Sequence, residues 1–469
     1  MQLAWRATGV ALYLVSGAFV LLLLAGRSRR RIPLLSNAAA RLDRALASFG
    51  LRHTLVLSGL LVGFLAVLHA FTLSDPHANN YGDFRVYWLG PAQTLLAGGN
   101  PYATFDGGPH AWGNGINFGL LFVAFNAFGV WAGGAYGLIL LYGAVAVAVP
   151  VLAWLLAREY LDDPVLRAYV VLLSIVVPQS LFYIVRLVTD EHLTVVAVLG
   201  TLLLVKRDRI WAAAAFAGAL AAVKYLPLLF LAAFLVVHYR AVAASLSGSS
   251  ARARAFAAHA GALALAAAIL AASLAIGFRL YGNDFLARTV GMTALLPEIE
   301  VLWLLESARA WVSPAAVSAA MLAALAALCA YVLLRPRRPD PDGRHYLSVL
   351  VGVLVLVMLL FAKVNAEYVC LAVAPAATFL ALRWSQRPAA GLLDAVRSPA
   401  YVLGLSVLAD ATIWWAEFHR APDATEVYPF WVQLAFTAAF ALLAWEAYRA
   451  LREEEPAKPA ATLQVTAGA

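Results

Sequence analysis

Uninterrupted apolar stretches recur along this chain, and about 20 such residues carry a helix across the hydrocarbon of a bilayer. No water reaches backbone N–H and C=O groups there, so only helices and closed barrels are stable. The stretches are continuous rather than alternating, which selects helices. Spans are expected at 7–25, 53–72, 131–157, 165–186, 188–206, 210–224, 226–242, 259–280, 309–334, 345–362, 367–385, 399–416 and 429–450, about thirteen in all by the length rule. The expected fold class is therefore an all-α polytopic membrane protein: one transmembrane domain over 1–452, then a disordered cytoplasmic tail expected at 453–469. Only 13% of residues are charged, against about a quarter in soluble domains.

The basic residues orient these spans. Thr8 to Ala25 is followed by Arg27, Arg29, Arg30 and Arg31. A cleaved leader carries its positive charge before the apolar run, so this reads as a retained first helix with its N-terminus outside. The segment 115–130 is short and interrupted by Gly and Asn. Treated as an interfacial or re-entrant helix, it leaves 25 of the 34 Lys and Arg inside and nine outside, the bias expected of cytoplasmic loops. The net charge of +8 thus signals topology and anionic lipid rather than nucleic acid. Cys329 and Cys370, the only two cysteines, lie inside apolar runs, which argues against a disulfide framework or a cysteine metal site.

One polar interruption stands out, residues 73–114, expected to form a large extracytoplasmic loop that runs on through 130. Asp83 opens an amphipathic stretch in which Phe84, Tyr87, Trp88, Pro91 and Leu95 follow helical spacing, as an interfacial helix would. Gly98, Gly99, Asn100, Pro101 and Tyr102 close it as a turn. The same topology collects other ionisable groups on the outer side: Arg85 beside Asp83; Arg186, Asp190, Glu191 and His192 in one turn; Lys224 at a Lys-Tyr-Leu-Pro helix break; Arg288; and Lys363, Asn365, Glu367 and Tyr368 in another turn. Ionisable groups at the membrane edge are costly, so a one-sided cluster marks a functional site. Taken singly, each has a plainer role. Asp83 suits a helix N-cap, and Lys224 and Lys363 suit snorkelling to headgroups.

Asp83-Phe84-Arg85-Val86-Tyr87, followed by Ala92, Leu95-Leu96, Gly98/Gly99 and Asn100-Pro101-Tyr102, resembles the first-loop signature of GT-C glycosyltransferases, closest to glycosyltransferase family 87. Gly218-Ala219-Leu220 through Lys224 to Pro227 is similar to the lysine-containing helix break of that superfamily. Lys363-Val364-Asn365-Ala366-Glu367-Tyr368 resembles its late turn. The resemblance implies an inverting transfer of a sugar, mannose by family, from a polyprenyl-phosphate donor to a lipid or glycan acceptor, at the outer face of the cell membrane. Many GT-C members carry paired acidic residues in this loop. Here Asp83 is followed by Phe84 and Arg85, so a single-base mechanism is expected; no cofactor is implied, and a divalent metal is not indicated but stays open. The residues do not choose between mannose, arabinose and another hexose.

The chemistry suits these residue types. Asp83, in a partly desolvated cleft, would take the acceptor hydroxyl's proton. Lys224, Lys363, Arg186 and Arg288 would receive the leaving phosphate. Arg85, Glu191, His192 and Glu367 would orient those cations or bind hydroxyls, while Tyr87, Tyr102 and Tyr368 would pack on sugar or lipid. The alternative is a transporter or lipid flippase, which should instead show repeat symmetry and mid-membrane charges in discontinuous helices.

Overall fold

The computed structural model describes residues 2–27, 33–73, 84–103, 119–182, 191–286, 289, 314–334, 344–360, 366–386, 397–419 and 430–452. These form a helical bundle with no strand among the described residues. In chain order the helices are α1 (Gln2–Arg27), α2 (Pro33–Leu46), α3 (Leu51–Leu73), α4 (Gly90–Leu96, led by a π-helical turn Phe84–Leu89), α5 (Leu120–Tyr160) and α6 (Pro164–Val176). Then come α7 (Glu191–Lys206), α8 (Ile210–Ala221), α9 (Leu226–Ser245), α10 (Ser249–Leu286) and α11 (Pro314–Leu334). The last are α12 (Arg344–Leu360), α13 (Cys370–Ser385), α14 (Tyr401–His419) and α15 (Phe430–Arg452).

Among the described residues, six helices are long and apolar enough to cross a membrane: Ala4–Gly26, Leu51–Thr72, Leu120–Tyr160, Leu226–Ser245, Ser249–Leu286 and Leu434–Arg452. Their surfaces agree with that solvent. On α3, Leu55, Val56, Leu60, Phe64, Val67 and Phe71 are all exposed, an arrangement that water would penalise and lipid would not. The centre is different. Every residue from Cys370 to Ala381 on α13 is buried, as expected of a helix that is apolar all round.

Several expected spans come out shorter, and the sequence supplies the cause. The helix expected over 165–186 stops at Val176. Pro178 follows, and a residue before proline is driven from the helical region; Val177 accordingly has ψ 122°. Its other end is capped by Asp163, whose carboxylate accepts from the Val165 and Leu166 amides, before Pro164 at the first turn. The 12-residue α8 is about 18 Å long at 1.5 Å per residue, well short of a hydrocarbon core of about 30 Å.

The segment 120–132 is a short arm of α5, turned back on the rest of that helix at Gly133 and Gly134. Gly134 has φ +62° and ψ −144°, a conformation open to glycine. The arms then touch closely. A Cβ on Gly137 would fall 2.3 Å from the Gly129 carbonyl oxygen, and Tyr142 donates to Asn126 Oδ1 at 2.9 Å across the fold. Gly137→Val should therefore destabilise the chain by about 1–3 kcal/mol through overpacking. Gly17→Ala, with nothing within 4 Å of its added carbon, should be neutral or slightly stabilising. Thermal unfolding of the purified protein in detergent compares the two.

Candidate functional site

The candidate site begins at the break between α8 and α9. Residues Ala222 to Tyr225 leave the helix, and Pro227 restarts it at the first turn of α9, where its missing N–H costs nothing. Lys224 sits in this break. Its Nζ donates to Glu191 Oε1 at 3.0 Å, and the two side chains are only 16% and 5% exposed. The ammonium also lies 4.6 Å from the centroid of the Tyr368 ring, a cation–π geometry. Three segments far apart in sequence thus meet at one cation: the α8–α9 break, the first turn of α7, and the 3-10 turn Ala366–Val369 that leads into α13.

The first loop reaches the same place. One buried cluster holds Phe84 and Trp88 from the turn before α4 together with Leu193, next to His192, and Val223, next to Lys224. The apolar face expected to lie on the membrane interface therefore packs partly into the protein: Phe84 is 1% and Trp88 6% exposed, and Pro91 and Ala92 are buried. The reason is that the α5 hairpin provides a wall, through Phe122, Leu138, Ile139 and Tyr142. Gly119 caps that hairpin against the break itself. A Cβ there would lie 2.1 Å from the Ala222 carbonyl oxygen, so only glycine permits this approach.

The turn after α4 is built as its residues suggest. Gly98 has φ +76° and its amide bonds back to the Leu95 carbonyl, the glycine closure of a helix C-terminus. Asn100 accepts from the Tyr102 amide and donates to Asp284 Oδ2, each at 2.9 Å. Tyr102 is not placed to stack on a ligand. It is fully buried, with Phe285 at 4.9 Å and Tyr281 at 5.3 Å between ring centroids. Burial, with Tyr281 and Tyr225 nearby, raises its hydroxyl far above the ordinary tyrosine range.

His192 is 1% exposed and hydrogen-bonds to the Ser180 backbone. Its Nε2 has no hydrogen-bond partner among the described residues. Beside Ser180 lies a group that loop-based reasoning passes over. Gln179, fully buried, donates from Nε2 to Asp410 Oδ1 at 2.8 Å, and Asp410, in the middle of α14, is 8% exposed. Ser406 on α14 accepts from the Gln179 amide and bonds to Tyr13 of α1 at 3.0 Å. The signal was present: Asp410 is an ionisable residue inside an expected span, which is a functional flag in itself.

Asp83, Arg186, Arg288 and Lys363 lie outside the described residues, as does the tail at 453–469. Arg85, Tyr87 and Glu367 fall within described turns, but their side chains are not described. Among the described residues no three potential metal ligands converge. No protein-family model, curated protein or solved structure matches this chain.

A buried ion pair is held by geometry, and losing one partner costs about 3–5 kcal/mol while losing both costs much less. Lys224→Met should therefore destabilise the chain strongly, and the double variant Lys224→Met/Glu191→Leu should recover part of the loss. A double-mutant cycle on thermal unfolding measures this coupling. Strictly additive losses would mean the pair does not hold the break.

Proposed function

We propose that this chain is an integral membrane glycosyltransferase that moves a sugar from a polyprenyl-phosphate donor to a lipid or glycan acceptor at the extracytoplasmic face of the cell membrane. One observation carries the reading. The residues next to Asp83, His192 and Lys224 share one buried cluster, and Lys224 itself touches Glu191 and Tyr368. The segments that resemble GT-C motifs are thus neighbours in space although they are separated by up to hundreds of residues in sequence.

A polyprenyl chain lies in the bilayer while its phospho-sugar head sits at an interface, so the reacting groups must be cationic and acidic and set among apolar helices. In the proposed reaction the acceptor hydroxyl oxygen attacks the anomeric carbon as Asp83 takes its proton. The bond from that carbon to the phosphate oxygen breaks, and the polyprenyl phosphate leaves with the electron pair. Lys224 offsets the charge on the leaving phosphate, aided by Lys363, Arg186 and Arg288. Glu191 orients Lys224 before the donor arrives. Tyr368 keeps the ammonium in a low-dielectric setting, where its attraction for phosphate is strongest. Mannose remains the sugar that the resemblance favours.

A transporter or lipid flippase is the second reading, and one feature favours it: the break between α8 and α9 is a discontinuous helix with a buried charge, as in many transporters. The two readings separate on Asp83. Asp83→Asn should reduce sugar transfer from a polyprenyl-phosphate donor by about 10²–10⁴-fold, the usual contribution of a general base, with unfolding temperature unchanged. Scintillation counting of labelled donor in membranes measures it. Wild-type turnover in this variant would remove Asp83 as the base. No transfer by the wild type, from any polyprenyl-phosphate sugar, would leave the transport reading.

A further inference from the structure

Two hydrogen bonds tie Gln179 to one face of α14. Its backbone amide donates to Ser406 Oγ at 3.4 Å, and its side-chain Nε2 donates to Asp410 Oδ1 at 2.8 Å. Ser406 and Asp410 are four residues apart in α14, so they lie one above the other on that face. A residue held at one point can swivel; held on two successive turns of a helix, it cannot. Gln179 belongs to the turn that follows α6, and all three residues are buried.

The backbone of that turn does not need Asp410. Pro178 ends α6 and leaves the last carbonyls of the helix to find other partners, where no water reaches them in a bilayer. Ser16 of α1 donates to the Val176 carbonyl at 3.0 Å, the Ser180 amide donates to the Val177 carbonyl at 2.9 Å, and the Ser180 hydroxyl donates to the Ser174 carbonyl. The Gln179 amide is met by Ser406. A carboxylate inside an apolar helix is costly. What it adds here is the orientation of the Gln179 side chain and, through it, of the turn.

The next residue carries that orientation to the candidate site. The Ser180 backbone bonds to the His192 ring, and His192 follows Glu191, the carboxylate that receives Lys224 at 3.0 Å. Helix α14 reaches the other partner of Lys224 as well. It packs against the turn Ala366–Val369, which carries Tyr368, whose ring centroid is 4.6 Å from the ammonium. Both groups that hold the lysine are thus referred to the same helix.

We propose that Asp410 is a positioning residue, a role that rests on the transferase reading above. From α14 it sets Gln179 and the turn at 177–182, and through Ser180 and His192 it fixes where Glu191 presents Lys224. Asp410 acts through these residues and not on the substrate. Lys224 meets charge that grows as the phosphate leaves, so displacing it costs rate more than binding.

Three variants separate positioning from bulk stability. The full chain in lipid nanodiscs is assayed for transfer from a labelled polyprenyl-phosphate sugar, with thermal unfolding of each variant alongside. Asp410→Ala leaves the Gln179 side-chain amide unmet. It should lower kcat by roughly 10–10²-fold with little change in the KM for donor, and its unfolding temperature should fall too. Asp410→Asn keeps an oxygen for Gln179 Nε2 and should restore most of kcat. Gln179→Leu/Asp410→Leu replaces the bonded pair by two apolar side chains. Its unfolding temperature should return toward wild type, but nothing then orients the turn, so kcat should stay low. If Asp410→Ala does not fold, the other two variants carry the test.

Wild-type kcat in Asp410→Ala would overturn the positioning role, as would transfer recovered together with stability in the double-leucine variant. So would equal losses in Asp410→Asn and Asp410→Ala, because the charge and not the hydrogen bond would then matter. Each of these results leaves the transferase reading in place. A wild type that transfers no sugar would instead overturn that reading and this role with it. The link itself is read without any transfer, from a double-mutant cycle of Asp410→Ala with Lys224→Met on thermal unfolding. Coupled losses support it, and strictly additive ones sink it.

Discussion

The arrangement of this bundle depends on how one ammonium group is kept among apolar helices. Lys224 cannot be buried as an isolated charge, because the desolvation penalty is far larger than any packing gain. It is held by the Glu191 carboxylate at 3.0 Å and by the face of Tyr368 at 4.6 Å. Those two partners arrive on α7 and on the turn before α13, so the pair also sets how these elements meet. The lysine lies in the break between α8 and α9, and the proline at 227 restarts the helix where a missing N–H does no harm.

Close approach is the second constraint. At Gly119 the backbone comes within reach of the Ala222 carbonyl, at Gly137 the α5 hairpin closes on Gly129, and at Gly218 helix α8 lies on Ala266 of α10. In each case a side chain would hold the elements apart. Gly119 matters most for the candidate site, since it brings the end of the first loop against the break that carries Lys224. The loop's apolar residues complete that contact from the other side, with Phe84 and Trp88 buried beside Leu193 and Val223.

Much of the site was legible because its chemistry is costly. Lys224, Glu191, His192 and Tyr368 stand out among apolar neighbours; Glu191, His192 and Tyr368 are buried and Lys224 is half-buried against Glu191 and Tyr368, with His192 the next residue after Glu191. The burial of Tyr102 was not legible, because the pattern of a turn says nothing of what covers it; Phe285 and Tyr281 do. Asp410 and Gln179 were passed over because a single polar residue inside an apolar run has no partner in its own segment. Their hydrogen bond joins positions 231 residues apart.

The sequence by itself determined the helical, membrane-type architecture, since long apolar runs leave the backbone no other way to satisfy its hydrogen bonds. Local sequence also accounts for the breaks at Pro178, Pro227 and the glycine pair at 133–134, although the spans expected at 165–186 and 131–157 ran through the first and the last of these, and Pro150 and Pro375 sit inside helices without ending them. Only the tertiary structure decided which breaks face each other. It paired Lys224 with Glu191, turned the arm at 120–132 back on α5, and set Gln179 against Asp410. Those choices rest on contacts between segments distant in the chain, where local propensity is silent and packing decides.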